Sequence, residues 1–312
     1  MSGLPDCSVH IGGLRLKNPV MPASGTFGYA EEYASFMDLN LLGAVVVKTI
    51  TLKPRVGSHP HRSTEVASGL LATIGLQNVG IERFIEEKLP FFENIRSPLI
   101  VNIGGEHIED YVTLAHLLEG QHLVRGIELN VSCPNVSKGG LHFGVDPDVL
   151  SDLVSRVRQA TAKALSVKLT PMVSDIRSFA EICQRRGADA VSLINAPVGM
   201  AVDVTTGRSK LGRNLTGGLT GPAIKPIALC CVWRVCRAVD LPVIGIGGIS
   251  CLEDALEFFI AGACAVQVGT MNFINPRATP DIIEGLEKYM GENHLKRLSE
   301  IQGPKPGRAS DK

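Results

Sequence analysis

The chain has 312 residues, 45% of them hydrophobic, and 31 Lys plus Arg balance 31 Asp plus Glu. This length suits one large barrel or two ordinary domains, and a zero net charge without a basic block argues against nucleic acid as a partner. The apolar stretches are short and broken by Gly or charge, and residues 1–6 carry no signal-peptide pattern, so neither a membrane span nor a leader is expected.

Taken in chain order, residues 8–16 alternate about Gly12-Gly13 and predict a hairpin capping one mouth of whatever follows. Short apolar runs then recur at 20–23, 44–49, 99–103, 127–131, 166–169, 190–195, 243–247 and 265–269. Helical spacing appears between them, for example over 149–157 and over 252–261, the latter with Ser250 as expected cap. Strands apolar on both faces and separated by helices imply parallel pairing with right-handed crossovers. Eight such units predict an α/β fold, a (β/α)8 barrel spanning residues 1–312 as one domain, with 1–17 as the hairpin and 303–312 as a flexible tail. A doubly wound open sheet is the structural alternative. Three connections, 53–80, 134–146 and 196–223, exceed plain barrel turns and follow strands at one face, which marks them as lids or binding loops.

The eight cysteines form no C-x-x-C pair, as expected of a reduced cytoplasmic protein. Cys230, Cys231 and Cys236 fall on one predicted helix, 228–238, without iron–sulfur or zinc spacing, and the histidines are scattered. No metal site is expected.

Polar residues gather where the strands end. Ser24 follows the first strand, Lys48-Thr49 closes the second, and Asn102, Asn130, Lys168 and Asn195 sit at the ends of the next four. Taken singly, each reads equally well as a capped or paired residue. A lysine within an apolar strand is harder to dismiss, because a buried ammonium needs an anionic or strongly polar partner, and here there are two. Gly247-Gly248 and Gly269-Thr270 follow the seventh and eighth strands, where barrels often hold phosphate on backbone N–H groups. Ile74-Gly75-Leu76-Gln77-Asn78 offers a backbone nest for a carboxylate. The sextet Asn130-Val131-Ser132-Cys133-Pro134-Asn135 puts amides and a thiol at a strand exit.

Together these motifs resemble the dihydroorotate dehydrogenases, with Asn18 to Gly25, Val47 to Thr51, Ile74 to Asn78, Asn130 to Asn135, Thr216 to Pro226, Gly247-Gly248 and Gly269-Thr270 in the family's order. The resemblance covers nearly the whole chain. It implies FMN-dependent oxidation of dihydroorotate to orotate in pyrimidine biosynthesis. Cys133 would be the general base; a free thiol titrates at about 8.5, so it needs electrostatic help. Lys48, the loop Ala72, Thr73, Ile74, Gly75 and Leu76, and Asn130, Asn135, Asn195 and Ala196 would surround the substrate. Ser24, Lys48, Thr49, Asn102, Asn130, Lys168, Ile194, Gly221, Gly247, Gly248, Gly269 and Thr270 would hold FMN.

Cys at the base position points to the soluble class, and Ser24 to Tyr29 looks most like its NAD-linked branch. That branch implies a homodimer core within a heterotetramer and a partner subunit carrying FAD and a [2Fe-2S] cluster, whereas a stand-alone relative would reduce fumarate. The chain departs from the family pattern at Ala72, where an Asn is usual, and at Ala196, where Thr or Ser is usual. The alternative reading is therefore an FMN oxidoreductase acting on a different dihydropyrimidine or a cyclic enone. A flavin subunit that only relays electrons is a third reading. A barrel aldolase using Lys48 or Lys168 is a fourth, and it leaves the amides and thiol of the sextet without a role.

Overall fold

The computed structural model describes residues 5–131 and 142–301. The chain opens on the antiparallel hairpin β1 (Val9–Ile11) and β2 (Leu14–Leu16), turned at Gly12 with φ +55°. β3 (Val20–Pro22) and β4 (Val45–Ile50) follow, the latter a run of β-branched residues suited to a pleated buried surface. The connection after β4 is not a plain loop; it carries β5 (Ser63–Val66) and β6 (Gly69–Ala72). β7 (Leu99–Ile103), β8 (Val124–Asn130), β9 (Ala164–Leu169) and β10 (Ala190–Leu193) continue the series. The next long connection carries β11 (Val198–Gly199), β12 (Val202–Asp203), β13 (Arg208–Ser209) and β14 (Gly217–Thr220), and β15 (Val243–Ile246) and β16 (Ala265–Val268) complete the set.

β3, β16, β15, β10, β9, β8, β7 and β4 pair in that order, all parallel. The ring closes where the Gly43 N–H donates to the Val20 carbonyl at 2.9 Å. A Cβ on Gly43 would come within 2.2 Å of the Asn18 carbonyl, so this seam requires glycine. Helices pack outside the strands, among them Ile108–Glu119, Pro147–Ala160, Ile176–Arg185, Lys225–Cys236, Leu252–Ala261 and Ala278–Glu292. Asp146 and Asp175 cap two of them by accepting first-turn N–H bonds. The expected cap at Ser250 is corrected: helix Leu252–Ala261 has Cys251 at its N-cap, and the Ser250 N–H donates instead to Asp254 Oδ2 at 2.7 Å. The eight expected runs agree with the observed strands to within a few residues at their ends; Asn195, for instance, lies two residues past β10.

Alternation along the strands divides the buried residues into two sets. One faces the helices. The other faces the bore, where Met21, Val46, Ile100, Ile244 and Ala265 pack with Ile11, Leu14 and Leu16 of the hairpin, which closes the N-terminal mouth. Further along the same inward positions the bore turns polar, with Asn102, Glu128, Ser166, Lys168, Ser192 and Gln267 all buried. Over the C-terminal mouth, β11, β14, β6 and β5 form a second, antiparallel sheet within connections expected to be loops. Cys133 and Asn135, and the tail 303–312, lie outside the described residues. Among the described residues no helix is long and apolar enough to cross a membrane, and no three His, Cys, Asp or Glu side chains gather to hold a metal ion.

Candidate active site

A cavity of about 700 Å³ lies between the C-terminal mouth of the barrel and the second sheet. From the expected set it is lined by Ser24, Lys48, Thr49, Ala72, Ile74, Gly75, Leu76, Asn130, Lys168, Asn195, Ala196 and Thr270. Strand parity explains the grouping. Lys48, Asn130 and Lys168 hold inward positions at the ends of β4, β8 and β9, and Asn130 sits level with Lys168 across the β8–β9 pair. Thr73, Asn102, Ile194, Gly221, Gly247, Gly248 and Gly269 do not line the cavity. Asn102 is fully buried one layer below it, while Gly247, Gly248 and Gly269 are half-buried.

The floor is a hydrogen-bonded set of amides. Asn195 Nδ2 donates to Asn130 Oδ1 at 3.1 Å, and Asn130 Nδ2 donates to Thr49 Oγ1 at 3.2 Å. The Thr49 hydroxyl donates to Asn102 Oδ1 at 2.5 Å. Lys168 is only 6% exposed, and its ammonium reaches Ser24 Oγ at 3.4 Å. The Lys48 ammonium lies 5.6 Å from the centre of the Tyr29 ring. Burial pulls its pKa below the usual lysine range, the nearby Glu32 carboxylate opposes that shift, and Arg62 adds to it. Two lysines and one carboxylate, Glu32, thus line a largely apolar cavity, and the surplus positive charge favours an anionic ligand.

The wall is set by glycines and small residues. Gly75 and Leu76 both adopt positive φ, +72° and +56°, which curls the loop against the cavity. β14 pairs with β6 so that Gly218 lies opposite Ala72, and a Cβ on Gly218 would come within 2.7 Å of Ala196 Cβ. Ala72, Ala196 and Gly218 therefore make one apolar patch. Gly247 and Gly248 take φ of +124° and +74°, and a Cβ on Gly248 would meet Lys225 Cβ at 2.6 Å. The Cβ direction of Gly269, by contrast, is open to 3.8 Å.

Glu32, Tyr33, Ser63, Leu70 and Phe273 also line the cavity and carry no motif that flags them, while Gln77, Gly218 and Thr220 lie within the family-like motifs. Tyr33 is fixed by stacking on Phe27 at 4.2 Å and by donating to the Thr26 carbonyl at 2.8 Å. Ser63 and Leu70 arrive on the β5–β6 hairpin, whose two-residue turn, Ala67-Ser68, lacks the Asn-Gly signature that flags such turns.

Comparisons with known proteins agree with this architecture. A family model for dihydroorotate dehydrogenase matches residues 7–290. A Geotalea uraniireducens protein named dihydroorotate dehydrogenase B (NAD(+)), catalytic subunit, is 50% identical over 301 residues, covering 96% of this chain and 98% of that protein. A protein of the same name from Thermoanaerobacter sp. is 51% identical over 295 residues, covering 95% and 97%. A crystal structure of DHODH in complex with ferulenol from Eimeria tenella shares the fold, with a TM-score of 0.79 at 22% identity over 96% of this chain and 88% of that one. With the barrel, the polar mouth and the match over residues 7–290 in agreement, the chain belongs to the dihydroorotate dehydrogenase family.

Proposed function

We propose that this chain is the catalytic subunit of an NAD-linked dihydroorotate dehydrogenase that oxidises dihydroorotate to orotate in pyrimidine biosynthesis. The observation that carries the reading is the joint placement of Lys48, Asn130, Lys168 and Asn195 on one cavity at the C-terminal mouth of the barrel. A volume of about 700 Å³ falls within the range of pockets that bury a cofactor-sized ligand. The lining suits FMN, with cations for an anionic ring or phosphate and amides for the ring edge; we assign the phosphate to the glycine turns after β15 and β16, the second of which leads into Thr270 at the cavity lining.

FMN, when bound, supplies the acceptor for the hydride that leaves C6 of dihydroorotate. The residues of the chain do the rest. Ser24, Thr49, Lys168, Thr270 and the turns at Gly247, Gly248 and Gly269 hold the cofactor, with Asn102, Ile194 and Gly221 supporting it. Lys48, Asn130, Asn135, Asn195 and the Thr73 to Leu76 loop hold the substrate, the lysine facing its carboxylate. Cys133 takes the C5 proton. The relatives' designation as a catalytic subunit supports a separate partner. We assign to that partner FAD, a [2Fe-2S] cluster and the passage of electrons to NAD, around a homodimer of this chain.

The test is direct. The purified flavoprotein should bleach when dihydroorotate is added without oxygen, and absence of bleaching at millimolar substrate would overturn the substrate assignment. Cys133→Ala should keep its flavin and lose about 10²–10⁴-fold in turnover, the usual contribution of a positioned base. The apolar patch of Ala72, Ala196 and Gly218 favours a second reading, an FMN oxidoreductase acting on a less polar dihydropyrimidine or a cyclic enone. A substrate panel separates the two, and Ala72→Asn should raise dihydroorotate turnover only if that patch limits binding.

A further inference from the structure

Below the cavity floor, Glu128 is fully buried on β8, two residues before Asn130 and on the same inward side. Its carboxylate receives three hydrogen bonds from three other strands: Asn102 Nδ2 at 2.7 Å on Oε1, and Ser192 Oγ at 2.9 Å and Gln267 Nε2 at 3.0 Å on Oε2. Among the described residues, the one buried side-chain oxygen or nitrogen without a hydrogen-bond partner belongs to the same cluster, Gln267 Oε1.

Glu128 accepts all three of these bonds, and this fixes everything above it. Asn102 must present its NH2 to Glu128, which turns its Oδ1 to Thr49. Thr49 spends its single hydroxyl proton on that oxygen and can only accept from Asn130. Asn130 therefore presents Nδ2 to Thr49 and Oδ1 to Asn195. At the far end Asn195 Oδ1 accepts the Ala196 N–H at 2.9 Å, so the fixed backbone agrees with the direction set by the acid. Every donor along the chain points toward Glu128. We infer that Glu128 is a positioning residue: it sets which way the amides of Asn130 and Asn195 present oxygen and NH2 to a ligand in the cavity, although it does not line the cavity itself.

The two orientations of a carboxamide are nearly equal in shape, so packing alone selects weakly between them and the hydrogen-bond network decides. An anchored amide is ordered before the ligand arrives, which spares the ordering cost at binding. Glu128→Gln keeps the volume but lets this position donate as well as accept, so the chain loses one of its two anchors.

The first readout needs no ligand: hydrogen exchange of the side-chain amides in deuterated protein labelled with 15N-asparagine. Glu128→Gln should speed exchange of the Asn102 and Asn130 amides by about tenfold, through local opening. Pairing it with Asn102→Asp puts an acceptor-only group back beside Thr49 and should return the Asn130 amide to within about threefold of the parent. Ser192→Ala removes a bond to the same carboxylate but no link of the chain, and should leave Asn130 unchanged. Unchanged exchange in Glu128→Gln, no recovery in the double variant, or equal damage from Ser192→Ala each overturns the inference. So does failure of both Glu128→Gln proteins to fold, which would assign the acid to stability alone.

The second readout rests on the dihydroorotate reading. Glu128→Gln should keep its flavin while its Kd for orotate rises about tenfold, more than its kcat falls. If the parent binds no orotate but the exchange results hold, the substrate reading fails and the positioning role stands. If the parent binds orotate and the exchange is unchanged, the reverse holds.

Discussion

The two ends of the barrel bore are built from the same strands and differ in kind. At the N-terminal end, Met21, Val46, Ile100 and Ile244 meet the hairpin's Ile11, Leu14 and Leu16 in an apolar plug. Further along, at inward positions spaced two residues apart, the strands hold Glu128, Lys168, Asn102, Ser192 and Gln267. Apolar packing is nondirectional, so the plug contributes stability and specifies little beyond shape. The polar layer gains less net stability per group, because each bond replaces one with water, but it fixes orientation. The barrel is held together at one mouth and poised at the other.

The sharpest break in this comparison is Leu16→Ala. Leu16 has no exposed surface, so the change should cost about 2–5 kcal/mol of stability, as buried Leu-to-Ala changes generally do. Chemical denaturation would measure it. Orotate affinity of the folded fraction should not move, and a coupled loss would mean that the two ends are not separable.

Thr49→Val probes the other end. It preserves shape but deprives Asn102 Oδ1 of the Thr49 donor and removes the acceptor facing Asn130 Nδ2. The expected cost is about 1–3 kcal/mol, the penalty for stranding buried polar groups. Here stability and orotate affinity should fall together, because one hydroxyl serves both the fold and the cavity floor. Stability loss with intact affinity would show that the floor is less ordered than its bonds imply.

The two ends were not equally legible in the sequence. The eight strands announce themselves as short Val/Ile runs, and the polar residues that close them, such as Lys48, Asn130 and Lys168, stand out at the run ends. Glu128 was in plain view too, an acid inside an apolar strand at the same parity as Asn130. Its role was not legible because its partners lie 26, 64 and 139 residues away, and spacing along a chain does not encode which inward side chains meet across a barrel. The second sheet was hidden for a different reason. Its strands are two to four residues long and rich in glycine, too short for a period of two to register. The Gly247-Gly248 and Gly269 turns were legible because glycine marks where the chain can turn; which void a turn serves depends on packing, and in this group it is Thr270 that lines the cavity.

The smallest expected effect on stability, and the most specific at the site, concerns Lys48. Burial holds its folded-state pKa below the ordinary 10.5, against the opposing pull of Glu32. The fold therefore releases this proton at a lower pH than the unfolded chain does. Between the depressed value and 10.5 the unfolded state binds more protons, so the lysine's contribution makes stability rise with pH across that window. Lys48→Met keeps the stem and removes the charge. Its stability should equal or exceed the parent's below the window, and the rise attributable to Lys48 should vanish. Ligand affinity runs the other way. A carboxylate ligand gains from the charged lysine, so orotate binding should weaken as pH rises through the depressed value, at lower pH than an ordinary lysine would give. In Lys48→Met the affinity should be low throughout and that step absent. Binding titrations across this range in both proteins read the two signs separately. A parent whose orotate affinity stays flat up to the ordinary lysine range would remove Lys48 from the carboxylate's neighbourhood.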